Sequence, residues 1–362
     1  MVRLDEAITV TPAYERTGAR DVLFDRYPPR AVYNATIPAF WTIGSVVHGG
    51  FLLSLLTRTA TTHQRSHESN HVDPAHLSSQ FLSASVAGDA QIEVTVVSTS
   101  KRWTRLDLEL WQYPSSRRDN EPRDYTASST QRTLRIKAHY LLTQLENVFE
   151  LPKLNDPTPT FLERECPILY APSQLASTPY SEIPAKFSFK QGMRWKEVEH
   201  VKEGNELRWA CWFELTQGED LTQLADLVPF FADCSKNGPE VLGMTPGHSR
   251  PQPSWYPTLT LSLDFKSSFP LPASSRSSTT TFGLFATTKS IQSGRHDLTV
   301  EVWTSPSDLG AGSGITVDSD WRKQVKCVGI STQMALTTPM AFNLSRANSN
   351  SSSDEGGDKA RL

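Results

Sequence analysis

The stretch that most constrains this chain is FLLSLLTRTATTHQ, residues 51–64, led in by His48-Gly49-Gly50. Leu52, Leu55 and Leu56 have the i, i+3, i+4 spacing of one helical face. Phe51 and Ala60 carry the apolar surface nearly all the way round. A helix without a polar face has to be enclosed by the rest of the fold. The two glycines before it let another backbone approach closely where the helix begins. Strand patterns follow at about 76–86, 91–99 and 103–113, and Arg132–Leu142 adds another. Their apolar/polar alternation predicts half-buried antiparallel strands able to wrap the helix.

A weaker copy of this order follows. Strands are expected over Phe187–Glu197 and Glu206–Leu215, then a helix over about 219–233 whose face carries Leu221, Leu224, Ala225, Val228 and Phe231. Asp220 is a cap candidate, and Pro229 is expected to bend or break this helix. Further strands are expected over 257–268, 280–290 and 296–304, with a last one over Gln324–Leu336. A module used twice places function where the copies meet.

The 362 residues are long for one core, so two units are the prior. The formal net charge of -3 disfavours nucleic acid as the main partner. No apolar run approaches the length of a membrane span. Cys166, Cys211, Cys234 and Cys327 lack C-x-x-C spacing and read as buried thiols. His63, His67 and His71 would stack only if the helix ran on. The Ser, Asn and Asp-Pro around them instead predict a fraying end, so no metal site is assigned. Residues 145–190 are proline-rich and read as linker, residues 114–130 as a polar excursion, and residues 234–256 as a long loop of the kind that carries function. The chain closes on Ala360-Arg361-Leu362, which resembles a peroxisomal address behind a Ser/Asn-rich tail. Without that address the expected place is the cytoplasm.

No Gly-x-Ser-x-Gly elbow, Rossmann fingerprint or Walker loop is present, which disfavours a serine nucleophile and nucleotide cofactors. No cofactor is expected. His48 is open to a base role or to a structural or substrate contact. His139 reads as a solvated strand residue, and His248 with Arg250 as a phosphate contact in the long loop.

Trp41–Ala60, His76–Phe81, Gly88-Asp89-Ala90 and Leu110-Trp111 in the first half resemble the thioesterase-like double-hotdog family. So do Leu224-Ala225-Asp226 through Pro229, Pro257-Thr258-Leu259 through Phe265, Gly294-Arg295 through Trp303, and Gly329 through Leu336 in the second. The resemblance covers roughly residues 20–340. It implies an α+β double hotdog, with two curved antiparallel sheets each wrapped around a long central helix. The implied divisions are an N-terminal hotdog at 1–145, a proline-rich linker at 146–185, a C-terminal hotdog at 186–340 and a disordered tail at 341–362. Paired sheet edges would make an internal pseudo-dimer open to further self-association.

The resemblance further implies hydrolysis of acyl-CoA by a water that an Asp, a Thr and a Gln hold. Carried onto this chain, these fall on Asp226, Thr258 and Gln333, with His48, Gly49, Gly50, His248 and Arg250 expected at the substrate. Lys101, Arg102 and Arg295 are further candidates for the CoA phosphates. Phe51, Leu55, Phe230 and Phe231 either line an acyl tunnel or fill the core. The alternatives are a hotdog dehydratase or another acyl-thioester enzyme of secondary metabolism, a noncatalytic acyl-CoA-binding protein, and an interaction protein without a small ligand.

Overall fold

Among the described residues, hydrogen bonding runs without a break across one thirteen-stranded antiparallel sheet. The computed structural model describes residues 3–16, 30–113, 132–145 and 164–349, apart from 176, 178, 224, 250–251, 272–276 and 311–316. The first half contributes β1 (Thr11–Arg16), β2 (Arg30–Ile37), α1 (Gly49–Ser66), β3 (Asp73–Phe81), β4 (Gly88–Thr99), β5 (Thr104–Gln112) and β6 (Thr133–Thr143). The second half contributes β7 (Met193–Glu203), β8 (Glu206–Leu215), α2 (Val228–Ala232), α3 (Gly238–Met244), β9 (Thr258–Phe265), β10 (Thr281–Thr288), β11 (Arg295–Thr304) and β12 (Cys327–Leu336), followed by α4 (Met340–Ser349).

The strand order is β1-β2-β4-β5-β6-β3-β9-β12-β11-β10-β8-β7, with the thirteenth strand, Ile291–Gln292, paired to β11 off this path. Read from either edge inward, each half follows the same path, first, second, fourth, fifth, sixth and third. The two third strands, β3 and β9, pair with each other antiparallel at the centre. Ser78 stands opposite Ser262 there, and His76 opposite Asp264. The expectation of two sheets is therefore corrected to one. Each half would otherwise expose the edge of its third strand, and the pairing closes both.

α1 is enclosed as its sequence requires: Phe51, Leu53 and Leu56 are fully buried. Its polar residues survive burial by turning back on the helix. Thr57 and Thr59 donate to the carbonyls of Leu53 and Leu55, both at 2.8 Å. Each buried Phe or Leu contributes roughly 1.5–3 kcal/mol, so this helix is a main source of stability. The helix also continues through His63 to Ser66, further than the polar composition suggested. His63 is buried there and meets Tyr33 Oη at 3.0 Å.

The second central helix is short, which corrects the expectation of a long one. Residues 225–227 form a single 3-10 turn, and α2 has five residues. Pro229 lies in the first turn of α2, where its missing N–H costs nothing. It therefore begins a helix instead of breaking one. The loop read over 234–256 contains α3, which packs against β7, β8 and β11.

β8 is buried on both faces, which explains its continuous apolar run. Trp209, Cys211 and Phe213 enter the main core. Ala210 and Trp212 point the other way, into a second cluster with Cys166, Ile168, Ala171, Trp303 and Trp321. The described part of the proline-rich linker thus covers the outer face of the sheet, and Trp212 Nε1 donates to Tyr170 O at 2.7 Å. The region expected to begin a structureless tail at 341 carries α4. Residues 114–130, all of 146–163, Leu224, Arg250 and the Ala360-Arg361-Leu362 terminus fall outside the described residues.

Candidate active site

The start of α1 meets the end of α2 beside a cavity of about 600 Å³. His48 is the N-cap of α1, and its Nδ1 accepts the Phe51 N–H at 3.3 Å. A neutral ring whose Nδ1 accepts carries its proton on Nε2. That nitrogen faces Asp233 Oδ2 at 3.8 Å, in the residue that follows α2. Burial lowers the pKa of His48 against the pull of Asp233, so the ring is neutral near pH 7.

Asp233 is the hub of the site. Its Oδ2 accepts the Gly50 N–H at 2.7 Å, and its Oδ1 accepts the Thr258 hydroxyl at 3.3 Å. Burial raises its pKa, while His48, the Gly50 amide and Thr258 pull it back; the balance stays above the usual carboxylate value. The glycines that lead α1 have their explanation here. A Cβ at Gly50 would lie 2.7 Å from Pro229 O and 2.9 Å from Phe230 Cα. A Cβ at Gly49 would lie 2.8 Å from Asp233 Oδ2. Only a backbone without side chains lets the two helix ends approach this closely.

Thr258 reaches the site through an irregularity. Simple alternation along β9 groups it with Thr260 and Ser262, away from the core. The register against β12 slips between Thr258 and Thr260, with Thr258 opposite Ala335 and Leu261 opposite Gln333. The extra residue, Leu259, turns Thr258 to the same face as Leu261 and Gln333. Gln333 is buried, and its Nε2 donates to Ala232 O at 2.7 Å and Ser331 Oγ at 3.3 Å. These bonds leave the amide oxygen to accept. His48, Gly49, Asp233, Thr258 and Gln333 all line the cavity, whose apolar walls include Leu52, Phe81, Phe187, Trp195, Phe213 and Leu298.

Asp226 is elsewhere. It is buried against α1 in an ion pair with Arg58 Nε, and it does not line the cavity. Burial raises its pKa, and Arg58 opposes this. The structure therefore brings together Thr258, Gln333, His48, Gly49 and Gly50 but not Asp226. The acid beside Thr258 is Asp233, seven residues on. A signal for it was present: it directly follows the apolar run Val228–Ala232 that meets the glycine-led helix. His248 is exposed in the loop after α3, with Nδ1 3.1 Å from Thr245 Oγ1 and away from the cavity. Arg102, in the turn between β4 and β5, and Arg295, at the start of β11, are exposed, and neither they nor Lys101 line the cavity. The lysines that do line it are Lys186 and Lys236. Of the proposed tunnel residues, Phe51, Leu55, Phe230 and Phe231 fill the core. Among the described residues no cluster of three or more metal-ligating side chains is present, and no helix is long and apolar enough to cross a membrane.

The first half holds a counterpart of this site without its chemistry. Leu77-Ser78-Ser79-Gln80-Phe81 matches Leu261-Ser262-Leu263-Asp264-Phe265 across the central pairing, and β3 shows the same register slip, between Pro74 and His76. Pro74 then stands where the second half has Thr258. Tyr140, opposite Leu77, stands where it has Gln333.

Two family models match the chain, the acyl-CoA thioesterase N-terminal domain over residues 37–122 and the acyl-CoA thioesterase C-terminal domain over residues 166–309. The chain belongs to the acyl-CoA thioesterase family. Solved structures similar to this thioesterase share its fold. A hot-dog-fold protein of unknown function from Alicyclobacillus acidocaldarius matches with a TM-score of 0.60 and 14% identity, over 92% of this chain and 97% of the other. An acyl-CoA thioesterase II from Mycobacterium marinum matches with a TM-score of 0.55 and 11% identity, over 93% of this chain and 97% of the other. No curated protein matches the sequence of this thioesterase.

Proposed function

We propose that this thioesterase hydrolyses acyl-CoA to free acid and CoA with a water held by Asp233, Thr258 and Gln333. The observation that carries this reading is the Asp233 carboxylate, bound at once to the start of α1 and to the Thr258 hydroxyl inside an apolar cavity. A carboxylate whose pKa burial has raised is a stronger base than an exposed one. Asp233 takes a proton from the water as its oxygen attacks the thioester carbon. The Gln333 amide oxygen accepts the water's second hydrogen, and the Thr258 hydroxyl, donating to Asp233 Oδ1, holds the carboxylate in place beside it. The carbonyl oxygen gathers charge at the first turn of α1, where Gly49 lines the cavity and the helix end carries partial positive charge. The carbon–sulfur bond then breaks, and the CoA sulfur leaves with the proton from Asp233. His48, neutral and with its proton on Nε2, faces the carboxylate and orients it.

The acyl group is proposed to occupy the apolar wall of Leu52, Trp195, Phe213 and Leu298. The test is CoA thiol release from a chain-length series of acyl-CoAs by wild type and Asp233→Asn. Release by wild type that persists undiminished in the variant would sink the assigned mechanism. Tight binding with no release by wild type would leave a binding protein.

One observation favours a second reading. His48 and Asp233 place an imidazole and a carboxyl group 3.8 Å apart, the pair of groups that loss of water from a 3-hydroxyacyl thioester would use once the Nε2 proton has passed to the carboxylate. Formation of an unsaturated thioester without free thiol would select it.

A further inference from the structure

The turn that delivers His48 and Gly49 is held from outside the first half. Thr42–Ile43 and Val46–Val47 pair as a tight hairpin, and His48 follows directly, its N–H bonded to Trp41 O at 2.9 Å. At the tip, Gly44 has φ +62°, a conformation open to glycine, and a Cβ there would collide with Asn343 Oδ1. Asn343 belongs to α4, beyond the last strand of the second half. Its side chain is fully buried. Asn343 Oδ1 accepts the Ser45 N–H at 3.0 Å, and Nδ2 donates to Ile43 O at 3.0 Å. The Ser45 hydroxyl closes the clasp by donating to Asn343 O. One amide thus satisfies the two inward-facing backbone groups of the turn.

α4 is itself rooted in the cavity wall. Thr338–Pro339, just before it, pairs with Ser254–Trp255, and Met340 N donates to Pro253 O at 3.0 Å. Thr338, Trp255 and Phe342 line the cavity. On its other side the turn is held by the Gly44 N–H, which donates to Lys186 O at 2.7 Å.

We propose that Asn343 is a positioning residue for thioester hydrolysis: it fixes the Ile43–Ser45 turn and thereby sets His48 and Gly49 against Asp233. This rests on the hydrolase reading above. A buried amide with both ends committed to one turn resists small displacements that an apolar contact would tolerate, and a misplacement of about 1 Å near reacting atoms costs on the order of 100-fold in rate.

The test compares Asn343→Ala, Asn343→Asp and Ser45→Ala with wild type in full-length protein. For Asn343→Ala the expected result is kcat reduced about 10- to 100-fold with KM little changed, and shifted NMR signals of the His48 ring, identified by their loss in His48→Gln. Asn343→Asp keeps the acceptor for the Ser45 N–H and is expected to recover part of the rate. Should Asn343→Ala fail to fold, Ser45→Ala removes one hydroxyl and asks the same question at smaller amplitude. Unmoved His48 signals overturn the proposal. So do moved signals with kcat at the wild-type value. If wild type releases no thiol from any acyl-CoA, the hydrolase reading fails on its own, and the ring signals alone decide whether Asn343 positions His48.

Discussion

Asp233 Oδ2 and the Gly50 amide nitrogen stand 2.7 Å apart, and this bond joins the end of the second half's helix to the start of the first half's. The two residues lie 183 positions apart in sequence. The proposed chemistry is therefore built on a contact between copies.

Exchanging the carboxylate is expected to separate the two acids. Asp233→Asn should lower kcat by about 10²–10⁴-fold, the range for a lost general base. Asp226→Asn should leave kcat near wild type and cost stability instead, because it uncouples Arg58 from its buried partner. The cost is expected to be up to about 3 kcal/mol, the low end for a buried pair, since Arg58 keeps some contact with solvent. Thiol-release kinetics and denaturant titration of both variants check this.

Gly50→Ala should be damaging although it adds one methyl. The new carbon would meet Pro229 O and Phe230 Cα, both backbone atoms that cannot rotate aside. Overpacking of this kind costs about 1–3 kcal/mol. The expected outcome is a lower melting temperature and a loss of kcat, read from thermal unfolding and turnover together.

The register slip in β9 predicts a contrast between neighbouring threonines. Thr258→Val keeps the branched shape and loses the hydroxyl at Asp233, so kcat should fall at least about tenfold, equivalent to ~1.4 kcal/mol. Thr260→Val, on the opposite face, should leave kcat unchanged. Equal rates in the two variants would show that Thr258 takes no part.

Acid should unfold this protein through its buried histidines. Burial depresses His63 to about 3 and His296 to about 4. Below the unfolded value of about 6.5 the unfolded chain binds protons that the folded chain refuses, so stability falls as pH falls. Between pH 6.5 and 5 the loss should be on the order of 2 kcal/mol for each histidine. Denaturant titrations across that interval should show a clearly shallower pH dependence in His296→Asn, with the His63 share remaining. A wild type equally stable at both ends would rule out this account.

Raised by burial, Asp233 contributes in the opposite sense. Its folded form favours the proton, so its contribution to stability is present at low pH and lost as pH rises through the folded value. Asp233→Asn should therefore be more stable than wild type at neutral pH. The acid limb of the wild-type kcat/KM profile should lie above the usual aspartate value of about 3.9. Calorimetry and a pH–rate profile test the two halves of this prediction.

The parts legible in the sequence were those that local pattern controls. α1 announced itself by having no polar face, and the strands by their alternation. Thr258 and Gln333 were reached through the resemblance, and both line the cavity. Asp226 follows from the resemblance, which sets the acid at the start of the second helix; only the crossing of the two helices brings Asp233, at that helix's other end, beside Thr258. The length of α2 depended on whether Pro229 lies inside a helix or at its start, which φ preference alone does not decide. Leu259 as the inserted residue left no local mark, since a register slip is a property of two strands. Asn343 was hidden for the same reason. A serine- and asparagine-rich end reads as solvated until a turn far away in sequence supplies its partners.

The pairing of β3 with β9 also frees the halves from having to match. In an assembly of two identical subunits, every substitution is made twice, so a residue that improves one pocket is forced on the other. Joined in one chain, the halves diverge independently. Pro74 and Tyr140 then fill one side as mortar while Thr258 and Gln333 keep the other open. The first half then lends its helix start to the other half's cavity and keeps no open counterpart of its own at Pro74 and Tyr140.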